Sequence, residues 1–168
     1  MKVKNIRKYL TEEQITERVK AMGEQISKDY GGETVYLICI LKGSIFFTCE
    51  LAKRITSPVE IDFMSVSSYG AGTSSSGVVK IGKDLDTTIE GKNVLVVEDI
   101  IDSGRTLSYL LQNLKTRNPK SLKLCTLLDK PDRRVCDVKV DYVGFGLDLD
   151  QQYRNLPYIG CVELEDEE

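Results

Sequence analysis

An α/β fold, with a mostly parallel twisted sheet and helices on both of its faces, is the fold class that the sequence predicts. Continuous apolar segments alternate along the chain with segments whose apolar residues recur at helical spacing. Uninterrupted apolar strands are typical of parallel sheets that are buried on both faces. Polar residues directly follow three of the apolar segments, at Lys42, Asp102 and Lys130. The carboxyl ends of parallel strands lie at the same edge of a sheet, so we expect these three residues to lie along one edge. In such sheets this is the edge at which ligands bind.

The first predicted element is a helix over residues 11–30. Thr11 and Gln14 have the spacing of a capping box, an apolar stripe follows, and a glycine pair ends the helix. A continuous apolar strand is predicted over residues 34–41. The helix that follows this strand is expected to run to about residue 55.

A long loop is predicted after the second strand, which covers residues 59–65. Residues 67–77 are almost all small and cannot pack a core, so we expect a mobile loop, with a strand-like segment at 78–81. The stretch 77–84 almost matches a P-loop, but Asp84 occupies the position that requires Ser or Thr, and the interior is β-branched. We therefore interpret this stretch as an arm of a β-hairpin.

The second half of the chain continues the alternation. An apolar strand begins at Asn93, Leu107 opens a helix with one apolar face, and Pro119 follows this helix as a breaker. Further strands are predicted over residues 122–128, 139–145 and 158–164. No repeat or linker interrupts the pattern, so the 168 residues predict a single domain, residues 1–168.

The composition excludes several classes of function. Lys and Arg number 23 against 26 Asp and Glu, a formal net charge of −3, which gives no electrostatic reason to expect nucleic acid. The five cysteines form no C-x-x-C pair, which predicts reduced thiols and a cytoplasmic protein. No apolar run approaches ~20 residues and no signal-like apolar segment opens the chain, so we expect no membrane association.

The chain contains no histidine. This excludes Ser-His-Asp and Cys-His nucleophile systems and the H-E-x-x-H metal sites. Proton transfer must then depend on Asp, Glu, Lys, Tyr or water, and metal chemistry on carboxylates.

One segment, residues 93–107, carries most of the functional information. Its apolar strand ends in the carboxylates Glu98, Asp99 and Asp102, and a hydroxyl–glycine turn then opens a helix. The first N–H groups of a helix lack intrahelical partners and, together with the helix dipole, bind phosphate. Phosphate beside carboxylates is repulsive unless a cation lies between them, so the pattern implies Mg²⁺. A phosphorylated sugar whose hydroxyls meet the acids fits this arrangement.

Two other interpretations of this segment are weaker. The strand with Glu98 and Asp99 also resembles the first strand of a response-regulator receiver domain, but that strand would open the chain. In addition, no phospho-acceptor Asp with a downstream Lys lies at a suitable spacing. A purely structural strand–turn–helix does not need three acids at one strand end, because buried like charges are costly.

The segment resembles the phosphoribosyl-pyrophosphate signature of the type I phosphoribosyltransferases. That signature consists of four apolar residues, two acids, two apolar residues, Asp, Ser or Thr, Gly, a variable position and Thr. The sequence Val-Glu-Asp-Ile-Ile-Asp-Ser-Gly is most similar to the hypoxanthine-guanine members. The resemblance covers nearly the whole chain. It implies the type I fold with a mobile lid loop, a homo-oligomer (dimer or tetramer), and purine salvage from phosphoribosyl pyrophosphate and a 6-oxopurine.

The resemblance assigns roles within the signature. It implies that Glu98 and Asp99 face the ribose hydroxyls and, together with Asp148, bind Mg²⁺. It implies that Asp102 is the general acid/base at purine N7. The 5′-phosphate is expected to bind at the turn formed by Ser103, Gly104, Arg105 and Thr106.

Other positions match further binding residues of the family. Lys42 and Gly43 match the pyrophosphate loop, in which a non-proline cis peptide directs backbone N–H groups at the pyrophosphate. An ordinary strand-to-helix turn would explain the glycine equally well. Ser68 and Tyr69 match the beginning of the lid, whose closure excludes water from the reacting sugar. Arg154 matches a pyrophosphate-binding arginine.

The chain departs from the family where the base binds. Lys130 matches the lysine that reads the exocyclic oxygen of a 6-oxopurine. Between Phe145 and Gly146, however, family members carry an additional segment with an aromatic residue that stacks on the purine, and its loss implies a reduced hood over the base. Tyr142 or Phe145 could substitute, although their pattern more naturally predicts a strand. We therefore expect intact phosphosugar binding and impaired purine binding.

A regulatory protein on the same fold is the alternative from another class. Pyrimidine-operon attenuators are an example, and they bind RNA. Such a protein should present a basic surface, whereas this chain is net acidic.

Overall fold

The computed structural model describes residues 3–68, 79–146 and 159–164. Within these ranges the helices are α1 (Glu12–Tyr30), α2 (Ile45–Ala52) and α3 (Arg105–Lys115). The strands are β1 (Val3–Leu10), β2 (Val35–Leu41), β3 (Val59–Ser68), β4 (Val79–Lys83), β5 (Asn93–Ile101), β6 (Ser121–Asp129), β7 (Tyr142–Gly146) and β8 (Ile159–Leu164).

Six strands form one sheet in the order β4-β3-β2-β5-β6-β7. All neighbours in this sheet are parallel except β3 and β4, which pair antiparallel as a hairpin. The chain adds β3 on one side of β2 and β5 on the other. The order therefore reverses between β2 and β5, which is the switch point at which such sheets bind ligands.

Helices cover both faces of the sheet, as the sequence predicts. On one face α1 and α2 pack against buried side chains of the central strands, among them Leu37, Leu95 and Val97. On the other face α3 packs against the alternate residues of the same strands, including Ile38 and Val96. Burial on both faces explains why these strands are continuously apolar.

Local signals at α1 act as predicted. The Thr11 side chain accepts from the N–H of Gln14, and the Gln14 side chain accepts from the N–H of Thr11, which completes the capping box. Gly31 ends the helix in the left-handed conformation at φ 57°, a geometry that glycine adopts without strain.

The structure corrects several predicted boundaries. The helix after β2 ends at Ala52 rather than near residue 55, and β3 continues through Ser68, where a loop was expected from residue 67. Strand β1 was not predicted at all. It pairs antiparallel with β8 in a separate two-stranded sheet, and this partner lies about 150 residues away along the chain.

The buried carboxylate of Asp62 connects the β3–β4 hairpin to the neighbouring strand β2 through hydrogen bonds. Burial disfavours its charge, but a hydrogen bond from the Tyr36 hydroxyl at 2.6 Å and bonds from the N–H groups of Phe63 and Asp86 outweigh this and lower the pKa of Asp62. The Lys83 ammonium lies 3.7 Å away. The base of the hairpin is therefore fixed to the sheet by charge and hydrogen bonding.

In the described parts of the chain, no helix has the length and apolar character needed to cross a membrane. Four cysteines in these parts, Cys39, Cys49, Cys125 and Cys136, are free thiols.

Candidate active site

The carboxyl ends of β2, β5 and β6 meet at one edge of the sheet, which confirms the placement expected for Lys42, Asp102 and Lys130. Ile101, the last residue of β5, pairs with Asp129, the last residue of β6. Asp102 and Lys130 therefore begin neighbouring loops. Lys42 directly follows β2, on the other side of β5. The three residues flank the switch point of the sheet.

The turn after β5, residues 103–106, leads into the N-terminus of α3, and we call it the phosphate turn. Gly104 is the N-cap of α3 and is left-handed, at φ 79°. It has no side chain to cap the helix, so the first N–H groups of α3 are not satisfied by an N-cap side chain. Such N–H groups, at the positive end of the helix dipole, can bind an anionic phosphate.

The acids Glu98 and Asp99 lie half-buried at the end of β5. The Glu98 carboxylate accepts from the N–H of Asp99 at 3.0 Å, and the Asp99 carboxylate accepts from the N–H of Ile100 at 2.8 Å. No group of three or more potential metal ligands occurs among the described residues. Two carboxylates still fit Mg²⁺, which commonly takes one or two carboxylates and completes its shell with phosphate oxygens and water.

Asp102 is exposed at the edge of the site, and sequence reasoning missed a charged neighbour of this residue. The Arg133 guanidinium Nε lies 3.2 Å from Asp102 Oδ1. Arg133 belongs to a short 3₁₀ helix, Pro131–Arg133, directly after Lys130. Two consecutive arginines downstream of an acid-rich strand end were the available signal for this contact.

Lys42 is exposed and begins the loop between β2 and α2. The Leu41–Lys42 peptide is cis, as the resemblance implies. Behind the loop, the fully buried Ser44 donates its hydroxyl to the Ile40 carbonyl at 2.8 Å. Gly43 thus lies between an exposed lysine and a buried anchor, and the loop can present its backbone to a ligand.

Lys130 and β7, where the resemblance places the purine, lie on the other side of the site, which we call the base side. Tyr142 is 7% exposed and packs in the core beneath α1, with its hydroxyl 2.7 Å from Asp29 Oδ2. It is therefore not placed to stack on a ligand. Phe145 is half-buried opposite Leu128. Ser68 ends β3, whereas Tyr69, Asp148 and Arg154 lie outside the described residues.

Comparison with known proteins agrees with this geometry. A family model for the phosphoribosyl transferase domain matches residues 6–158. A hypoxanthine-guanine phosphoribosyltransferase of Streptococcus thermophilus is 51% identical over 173 residues, covering 96% of this chain and 96% of the relative. The crystal structure of such an enzyme from Bacillus anthracis is similar with a TM-score of 0.88 and 46% identity, covering 97% of this chain and 100% of that chain.

The match to the Streptococcus thermophilus relative extends over 173 residues, although this chain has 168. The relative therefore has positions without a counterpart here.

Proposed function

The chain belongs to the phosphoribosyltransferase family, and we propose that it transfers the 5-phosphoribosyl group of phosphoribosyl pyrophosphate to a 6-oxopurine, hypoxanthine or guanine. Purine N9 attacks C1 of the ribose with inversion, the bond from C1 to the pyrophosphate oxygen breaks, and the N7 proton leaves. The products are the purine nucleotide and pyrophosphate.

The single observation that carries this proposal is the glycine-started N-terminus of α3 beside acids and lysines at the switch point. An uncapped helix N-terminus supplies backbone donors for the 5′-phosphate, and Thr106 adds a hydroxyl. Glu98 and Asp99 lie just before this turn on the same strand, within reach of the hydroxyls of a sugar whose phosphate occupies the turn. A phosphorylated ribose satisfies both halves of this arrangement.

The leaving pyrophosphate needs positive charge. We place it by Lys42 and the backbone of Gly43, with Arg154 as a second cation from outside the described residues. When bound with the substrate, Mg²⁺ would neutralise charge that develops on the pyrophosphate oxygens. Glu98 and Asp99, together with Asp148, are the residues that would hold it.

On the base side, Lys130 would donate to the exocyclic oxygen of a 6-oxopurine, which favours that class over 6-aminopurines. Asp102, on the neighbouring loop, would accept the N7 proton as N9 bonds to C1. Its half-exposed carboxylate permits direct contact with a base that lies between the two loops.

We further propose a homo-oligomer, a dimer or a tetramer, in the cytoplasm. Ile45 and Phe46 open α2 with exposed apolar side chains, and that of Phe46 is 59% exposed. Multi-angle light scattering would test the oligomer. A monomer at micromolar concentration would contradict it.

The decisive experiment is an assay of the purified protein with phosphoribosyl pyrophosphate, Mg²⁺ and each of hypoxanthine, guanine and xanthine. We expect release of pyrophosphate together with nucleotide, and loss of both when EDTA removes Mg²⁺. Absence of nucleotide with every base, together with salt-dependent RNA binding, would instead identify a regulatory protein.

A further inference from the structure

The loop that follows β6, residues 130–138, lies against the phosphate turn and is hydrogen-bonded both to the end of β5 and to the first residue of the turn. The Lys130 N–H donates to the Ile101 carbonyl at 3.0 Å, and the Val135 N–H donates to the Ser103 carbonyl at 3.0 Å. The loop that starts with the proposed base-reading lysine is therefore also a wall of the phosphate turn.

Arg134 packs its aliphatic stem against the centre of that turn. A Cβ added to Gly104 would lie 3.3 Å from Arg134 Cδ and 3.1 Å from Val138 Cγ2. The left-handed backbone of Gly104, which opens α3, is thus in close contact with this loop, and any displacement of the stem moves the surface on which the turn rests.

The guanidinium group of Arg134 forms hydrogen bonds on the base side of the site. The Arg134 guanidinium donates to Asp129 Oδ1 and, at 3.2 Å, to the Val138 carbonyl. The Arg134 and Asp129 side chains are each only 16% exposed. Asp129 ends β6 and directly precedes Lys130, so the ion pair fixes the point at which the base-reading loop leaves the sheet. Removing one partner of a buried ion pair is strongly disruptive, because the remaining charge is left uncompensated.

We infer that Arg134 is a positioning residue that couples the base side of the site to the phosphate turn. One side chain contacts Gly104 with its stem and holds Asp129 with its head, so neither side of the site can shift without repacking it. The inference rests on the proposed function for the identity of the two ligands, but the contacts themselves do not depend on it.

The test compares Arg134→Met with Arg117→Met. Methionine keeps an unbranched apolar stem and removes the guanidinium. Arg117 makes an Arg–Asp pair with Asp84, at 2.7 Å and 3.0 Å. This pair lies beyond the far end of α3, and the helix, roughly 16 Å long, separates it from Gly104. Calorimetric Kd for phosphoribosyl pyrophosphate with Mg²⁺ and steady-state KM for hypoxanthine are measured for each variant.

We expect Arg134→Met to raise both the Kd for phosphoribosyl pyrophosphate and the KM for hypoxanthine by roughly threefold to thirtyfold. This is the usual range for residues that modulate coupling between sites. Arg117→Met should leave both within twofold, and Arg134→Lys should recover most of the loss. If Arg134→Met lost thermal stability like the control but kept either constant unchanged, the inference would be overturned.

Two further measurements cover other outcomes. Asp129→Asn keeps the arginine stem and should reproduce the paired effect if Arg134→Met does not fold, whereas unchanged constants in this variant would refute the coupling. Amide hydrogen exchange of residues 103–106 needs no substrate and should quicken in Arg134→Met but not in Arg117→Met. If the wild-type protein bound neither substrate, the proposed function would fail, while the exchange result would still decide whether Arg134 positions the turn.

Discussion

The phosphate side and the base side of the site are built in different ways. The phosphate side is one continuous piece of chain, residues 98–106, in which strand, turn and helix follow each other directly. The proposed base side brings together Lys130 and the edge strand β7, which come from separate parts of the chain. Strand β7 is itself held by α1, because Arg18 donates to the Val143 and Gly144 carbonyls.

If the chain lacks a segment after Phe145, as the sequence predicts, this difference would allow it to keep its fold. The phosphate side depends on backbone geometry at Gly104 and on contacts between neighbouring residues, so we expect a deletion some 40 residues later to leave it intact. The base side depends on residues brought together from distant parts of the chain. Purine binding is therefore the function that loss of the segment should impair most. Separate measurements of phosphosugar binding and purine binding can test this.

We expect the largest effect from a substitution of Asp102. This residue belongs to the continuous segment 98–106, but its proposed role is proton transfer rather than binding of the phosphosugar. Asp102→Asn should keep the affinity for phosphoribosyl pyrophosphate but lower kcat by ~10²–10⁴-fold, the usual range for lost proton transfer. Single-turnover kinetics and calorimetry would measure the two quantities. Asp132→Asn, an exposed neighbour on the 3₁₀ helix, serves as the control and should be near wild type. Unchanged kcat in Asp102→Asn would remove Asp102 from the reaction.

The next largest effect should come from Thr106, within the phosphate turn. Thr106→Val removes one charge-assisted hydrogen bond, worth about 1.5–3 kcal/mol, and so should weaken phosphoribosyl pyrophosphate and the nucleotide product about 12- to 150-fold. Free base and pyrophosphate should bind nearly as before. Thr116→Val makes the same change at the other end of α3, where the hydroxyl donates to the Asn113 carbonyl at 2.7 Å, and is the control. Equal nucleotide affinity in the two variants would show that the 5′-phosphate does not bind at the phosphate turn.

The base side should show a smaller loss that is specific to the purine. If the stacking residue is absent, as the sequence predicts, about 1–3 kcal/mol of base binding should be lost, and the KM for hypoxanthine should be roughly 5- to 150-fold above that of the Streptococcus thermophilus relative under the same conditions. Discrimination among 6-oxopurines should also be poor, whereas the Kd for phosphoribosyl pyrophosphate should match the relative.

Two results would overturn this expectation in different directions. A KM equal to the relative's would show that another aromatic replaces the stacker. Phe145 is the candidate, because Tyr142 is committed to the core, and Phe145→Ala should then raise KM. Undetectable turnover despite tight phosphosugar binding would indicate an inactive variant.

The contrast between a continuous phosphate side and an assembled base side also explains which features the sequence could predict. The phosphate side was predictable because its signals are local: an apolar strand, three acids, a glycine at the required left-handed position and an apolar helix face lie within about 20 residues. The lysines at the edge followed from the general rule for parallel sheets.

The rest depended on contacts that no local pattern records. Strand β1 has no clear alternation of its own and exists through its pairing with β8. Arg133 and Arg134 look like surface charges in the sequence, and their roles follow only from the way the loop after β6 folds back over the phosphate turn. Arg18 belongs to the polar face of α1, and nothing near it in sequence indicates that it binds β7.

The smallest expected effect is a pH dependence confined to the base side. The hydrogen bond from the Tyr142 hydroxyl lowers the pKa of Asp29 below its ordinary value of 3.8, with smaller contributions from Gln25 and two lysines. The ionised carboxylate therefore stabilises the attachment of β7 fully above the unfolded pKa, and this contribution is lost as pH falls through the lower folded pKa. For so exposed a group, solvent screening limits the effect to about 0.2–1 kcal/mol.

Amide hydrogen exchange below pH 4 should therefore quicken in β7 by up to about fivefold beyond the trend of β5 and α3. Asp29→Asn should abolish this excess, because asparagine can still accept the hydroxyl but does not titrate. The control is Asp84→Asn, since the pKa of Asp84 is lowered by Arg117 in a different region. That variant should change the acid dependence of global stability and leave the β7 excess in place. If β5 and α3 quickened as much as β7, the edge strand would not be separately anchored, and the proposed difference between the two sides of the site would have to be abandoned.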